Sequence, residues 1–190
     1  MKPSKTASTF VAGVVSIAAG VTFFIATPRA SAAPVVPVAI AKPAAAPFAK
    51  VYLALRGCTS CAHCRTAIRQ MAKGGAKGGE ARVNGDQVEV LYAKPRVVPL
   101  RDVIKSLAEN RLHDLNLVDV LFEARGSFTK GADGVLRFTL AETGQSFAVS
   151  VSPQMERPAD GREVRLVAVV DGWRGKGGLS LVAREIRPAA

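Results

Sequence analysis

Every helix-spaced apolar pattern in this chain lies before Gly126, and only strand signals follow it. Residues three and four apart share a helix face, whereas residues two apart share a strand face. The chain therefore has a mixed first half and an all-β second half. Cys64, Ala67, Ile68 and Met71 recur at helical spacing with Arg65, Arg69 and Gln70 between them, which predicts a helix over 62–73. The glycine-rich stretch 74–79 reads as its end and as a flexible connection. A second helix fits 100–112, with Val103, Ile104 and Leu107 on one face. Pro99 stands at its start, where a missing N–H costs nothing. Val51 to Leu55 is a short apolar run that ends at Gly57, a strand candidate. Ala81 and Val83 precede Asn84-Gly85-Asp86, and Val88, Val90 and Tyr92 alternate after it, which is a hairpin signal. Leu117 to Glu123 reads as one more strand. The order βαββαβ predicts a ferredoxin-like sandwich.

Beyond Gly126 the candidate strands are 135–140, 147–151, 163–170 and 179–186, with Phe128 opening a further one. Short antiparallel strands between glycine-rich turns predict a small barrel, of the OB type or similar. The expected class is α+β, with a metal-binding unit over 48–125 and a β-rich barrel unit over 126–190. The alternative, that the later strands extend the first sheet into one domain, stays open.

Residues 1–32 carry a targeting pattern. Lys2 and Lys5 precede an apolar stretch from Phe10 to Ile25, and Pro28 and Ala30-Ser31-Ala32 follow. This is the layout of a cleaved secretory signal peptide. An uncleaved membrane anchor is the alternative, because the uncharged run from Thr6 to Pro28 is long enough to span. Either way the chain is expected outside the cytoplasm, periplasmic or otherwise extracytoplasmic. Residues 33–47 hold four prolines and form a semi-extended Ala/Pro-rich linker.

The formal charge is +11, and removing residues 1–32 takes away three bases and no acid, which leaves +8. Export and the lack of a basic run interleaved with aromatics argue against nucleic acid as the partner. A solvated basic surface is the simpler reading, with some affinity for anionic membranes and membrane association through the N-terminal segment.

All three cysteines, Cys58, Cys61 and Cys64, fall within seven residues. A disulfide framework would spread them to staple distant segments. Clustering points to a metal site or a redox pair. A Cys-x-x-Cys where strand meets helix places both sulfurs against helix N–H groups, which favour thiolate. Thiolates select soft ions such as Cu(I). Two sulfurs cannot close a four-coordinate zinc site, and no second pair completes one.

The run Gly57-Cys58-Thr59-Ser60-Cys61-Ala62-His63-Cys64, with the element order over 50–124 and the exit Tyr92-Ala93-Lys94-Pro95, resembles the metal loop of heavy-metal-associated domains. That family includes copper chaperones, modules of copper-transporting ATPases and mercury-binding proteins. The resemblance implies metal ligation by Cys61 and Cys64, with Cu(I) as cargo ahead of Zn(II) or Hg(II). It implies as partner a protein that donates or accepts the metal. Cys58 stands where the family loop carries a methionine if Ser60 is an insertion. It is then either a buried thiol beneath the loop or a third metal ligand.

His63 reads as exposed or as a neighbour of the ligands, and His113 as a surface residue. Arg111 is a candidate cation near the site. Met71, Met155 and Trp173 read as packing residues. No Ser-His-Asp set, phosphate loop or paired-carboxylate site stands out, so binding rather than catalysis is expected. Two other functions remain: an extracytoplasmic thiol–disulfide oxidoreductase, and a structural adaptor with a degenerate metal loop.

Overall fold

The fifteen residues Asn116–Lys130 alternate between buried and outward positions and form one long strand, the spine of the fold. The computed structural model describes residues 46–109, 112, 115–175 and 177–189. The expected signal segment, most of the linker, Arg111 and His113 lie outside these. The elements run β1 (Ala49–Arg56), α1 (Ala62–Ala76), β2 (Glu80–Asn84), β3 (Gln87–Tyr92), α2 (Leu100–Ala108), β4 (Asn116–Lys130), β5 (Leu136–Leu140), β6 (Ser146–Ser150), β7 (Glu163–Asp171) and β8 (Ser180–Pro188).

All eight strands belong to one sheet, in the order β2-β3-β1-β4-β5-β6-β8-β7, and β4 also pairs with β7. That last pairing closes β4, β5, β6, β8 and β7 into a small five-stranded barrel, with β6 and β8 parallel and the other barrel pairs antiparallel. The α+β class is as expected. The sheet order differs from a free-standing four-stranded sandwich, because the sheet does not end at β4. Phe128 opens no new strand; it lies inside β4. The position 125/126, where a boundary was expected, falls within that strand, and Pro43–Ala190 cluster as one compact unit.

One edge of β4 serves both halves. Ala49 of β1 faces Ala124, and Leu140 of β5 faces Gly126. At the residue between them, Arg125 N–H donates to Phe48 O at 3.3 Å, and Arg125 O accepts from Ala141 N–H at 3.0 Å. The other edge of β4 pairs with β7 from Leu121 to Ser127. Half-buried polar and charged groups tie β1, β4 and β7 together. Glu123 accepts from Arg165 at 2.5 Å and from the Tyr52 hydroxyl at 3.2 Å, and Lys50 Nζ lies 3.7 Å from it. Phe122 against Phe147 and Phe128 against Phe138, at ring separations of 5.5 and 5.4 Å, carry the apolar core from the helices into the barrel.

The helix ends differ from the sequence reading. α1 runs through Gly74, Gly75 and Ala76 and stops at Lys77, whose φ of +45° is left-handed. Tertiary packing decides this. Ala72 and Ala76 are fully buried, and Gly75 lets α1 approach α2 closely. The buried Tyr92 hydroxyl donates to Ala76 O at 3.1 Å and satisfies a terminal carbonyl. Burial pushes the Tyr92 phenol up to about 12, so it keeps its donor proton. α2 is shorter than expected and ends at Ala108, with Leu100, Val103, Ile104 and Leu107 buried. In the hairpin, Asn84 pairs with Gln87, so Gly85 and Asp86 form the turn.

The two adjacent glycines of α1 give opposite expected outcomes. A Cβ on exposed Gly74 meets nothing within 4 Å. Gly74→Ala should therefore stabilise the protein by about 0.5–1 kcal/mol through helix propensity and a restricted unfolded chain. A Cβ on Gly75 would lie 2.7 Å from Asp102 O and 2.9 Å from Val103 Cα. Gly75→Ala should cost about 2 kcal/mol by forcing the helices apart. Urea unfolding of both variants checks the pair; a shared sign would contradict this account.

Candidate metal centre

The end of β1 is shaped to turn out a loop. Ala54 faces Asp119, but Leu55 faces Leu117, so Val118 of β4 is left over as a bulge. The freed Val118 carbonyl accepts from Arg174 at 2.6 Å. Leu55 N–H is claimed at 2.7 Å by Asp86 O in the β2–β3 turn. Two residues on, Gly57 has φ +125°, a region closed to most side chains and open to glycine. The chain then makes a short loop and enters α1.

Within that loop the inward residue is Thr59, 9% exposed, whereas Cys58 and Cys61 are exposed and Cys64 is half-buried. Of the two readings of Cys58, the structure places it outward. The three sulfurs all lie within 4.8 Å of one another. Cys58 Sγ and Cys64 Sγ are 3.2 Å apart. Cys61 occupies the N-cap of α1, and its sulfur accepts from Cys64 N–H at 3.0 Å. The sulfur thus takes the place of the usual capping oxygen. Residue 61 N-caps and residue 64 lies in the first turn, so the Cys-x-x-Cys spacing sets the Cys61 sulfur on a first-turn N–H that the helix itself leaves without a partner.

The surroundings favour anionic sulfur at Cys61. The first turn of α1 contains no acidic residue. Arg65 follows Cys64 directly, and Arg56 precedes the loop. Hydrogen bonds from the Cys64 thiol and backbone N–H hold the Cys61 thiol below its usual value. The same sharing, with Cys61 and then with Cys58, pushes Cys64 up to about 12. Cys61 therefore ionises before Cys64, and Cys64 keeps its proton until something displaces it. A soft cation does that directly, since thiolate is the ligand and binding releases protons.

The other residues singled out in the sequence stand apart. His63 is exposed on the first turn and outside the sulfur cluster. Met71, Met155 and Trp173 pack against the apolar core, and the Arg174 guanidinium stacks 4.4 Å from the Trp173 ring centre. Spacing alone leaves both places for Cys58 open, and nothing in it signals the Cys58–Cys64 contact.

Among the described residues no helix is long and apolar enough to cross a membrane. Comparison with protein-family models, with curated proteins and with solved structures finds no match.

Proposed function

We propose that this protein binds a soft metal ion, Cu(I) ahead of Zn(II) or Hg(II), and passes it between a donor and an acceptor protein outside the cytoplasm. The observation that carries the reading is the cluster of three sulfurs within 4.8 Å at the exposed start of α1. Three convergent thiolates suit an ion of low coordination number, and an exposed loop suits one that must be handed on. The βαββαβ run with β2, β3, β1 and β4 side by side supports a ferredoxin-like, heavy-metal-associated unit. The ring β4-β5-β6-β8-β7 supports an OB-type barrel beside it. The N-terminal segment supplies export, as signal peptide or anchor.

Anaerobic titration tests this reading. Reduced protein is mixed with Cu(I) held by a coloured competing chelator, and withdrawal of one Cu(I) per chain is expected. If the reduced chain takes none of Cu(I), Zn(II) or Hg(II) from competitors, the binding reading is wrong. Rapid reduction of a protein disulfide by the same sample would then favour the oxidoreductase.

A further inference from the structure

We infer that mild oxidation joins Cys58 to Cys64, leaves Cys61 as the single free thiol, and so locks the sulfur site shut. The regulatory part of this inference rests on the metal-binding reading above; the disulfide itself does not.

The sequence alone favours the other pairing. Cys61 and Cys64 form the Cys-x-x-Cys, the spacing of redox pairs at helix starts. The structure reverses the preference. The Cys58 and Cys64 sulfurs lie 3.2 Å apart, about 1 Å beyond a bonded separation, although Cys64 also shares its thiol proton with Cys61 inside the same cluster. What separates the two pairings is the N-cap: Cys61 Sγ is the acceptor for Cys64 N–H. To bond Cys64, it would have to leave that N–H without its cap. Joining Cys58 to Cys64 keeps the cap. Cys58 also sits directly after Gly57, the loop position with most backbone freedom, so the final approach disturbs neither β1 nor α1.

The chemistry balances with a small disulfide as oxidant, of which oxidised glutathione is the probe. One protein thiolate attacks it and expels a glutathione thiol, and the mixed disulfide so formed is attacked by the other protein sulfur. Cys58 and Cys64 together lose two electrons and two protons. Two glutathione thiols leave with them, and one S–S bond is exchanged for another. The locked loop retains one thiolate, too few to chelate. Oxidation therefore expels a bound soft ion, and reduction restores the site.

Differential labelling reads the pairing. The full chain is reduced, freed of reductant, exposed to oxidised glutathione and quenched in acid. Free thiols take a first alkylating label; after reduction the remaining thiols take a second. Cleavage after Arg56 and Arg65 puts all three cysteines on one peptide, Gly57–Arg65, and fragment masses place each label. The expected result is the first label on Cys61 and the second on Cys58 and Cys64. Cys61→Ser should still lose both of its thiols on oxidation. First label on Cys58 or Cys64, label on all three, or a lasting glutathione adduct would overturn the inference. The Cu(I) titration repeated on oxidised chain should show no uptake, restored by reductant. If labelling is as expected but reduced protein takes no Cu(I), the metal reading fails and the disulfide stands. If reduced protein binds Cu(I) but the first label falls on Cys58, the metal reading stands and the lock fails.

Discussion

Replacing Cys61 and Cys64 together with serine should lower Cu(I) affinity by about four to six powers of ten. The estimate follows from soft-site energetics. Structural zinc sites with four ligands gain about 10–16 kcal/mol, or roughly 3–4 kcal/mol per ligand if shared evenly. Each ligand lost then costs about two to three powers of ten. Serine offers a hard, neutral oxygen that neither ionises near neutral pH nor matches Cu(I). Competition titration of parent and double variant under reducing conditions measures the loss. Affinity within tenfold of the parent would show that the cluster is not the site.

Cys58→Ser divides the problem further. Its side chain is exposed, so its removal creates no cavity and should leave the unfolding midpoint unchanged. If Cys58 completes the site, X-ray absorption of the Cu(I)-loaded variant should count two sulfurs where the parent counts three. Affinity should also rise with pH, by roughly tenfold per unit for each thiol proton that the metal displaces. Cys64, held up to about 12 by its neighbours, supplies at least one such proton across the neutral range.

How far the sequence reaches is set by the range of the interactions involved. The sulfur loop is local. A strand, a glycine and a Cys-x-x-Cys at a helix start lie within about one turn of each other, so the spacing of Cys61 and Cys64 was enough to place them together. The first four strands were legible too, because Val88, Val90 and Tyr92 alternate and the hairpin glycine sits between paired segments. What the sequence hid was long-range. The β4–β7 pairing that closes the barrel joins residues about forty apart, and the β6–β8 pairing is parallel, which no hairpin signal announces. The extra turn of α1 runs against helix propensity at Gly74 and Gly75, and only packing on α2 explains it. Cys58 lies exposed directly after Gly57, whose φ is +125°, and sequence spacing signals neither fact. Gly126 misled most directly. A strand read over Leu117–Glu123 stops short of this glycine, whereas the structure carries β4 through it to Lys130.

Gly126→Ala is expected to be the most damaging small substitution in the barrel, at the glycine that hid the second half of β4 in the sequence. At this residue β4 exchanges partners on one edge, from β1 to β5, while β7 holds the other edge. β5 passes close to the backbone here. A Cβ on Gly126 would lie 2.2 Å from Thr139 O and 2.8 Å from Phe138 Cζ. The carbonyl belongs to the backbone of a paired strand and cannot rotate aside. Relief requires β5 to move, and the Phe128–Phe138 contact moves with it. Overpacking of this kind costs about 3 kcal/mol at the upper end of its usual range. The methyl also restricts the unfolded chain, which returns about 0.4–1 kcal/mol. The net loss is about 2 kcal/mol, or a melting temperature lower by roughly 4–8 °C. Strand propensity predicts the opposite sign, since alanine is no worse than glycine in a strand and valine is much better. Gly126→Val should therefore be worse still, and the two variants together separate propensity from close approach. The change lies on β4 and leaves β1 and the sulfur loop untouched, so the folded variant should keep the Cu(I) stoichiometry of the parent. A melting temperature of Gly126→Val at or above the parent's would show that β5 does not pass over this residue as described.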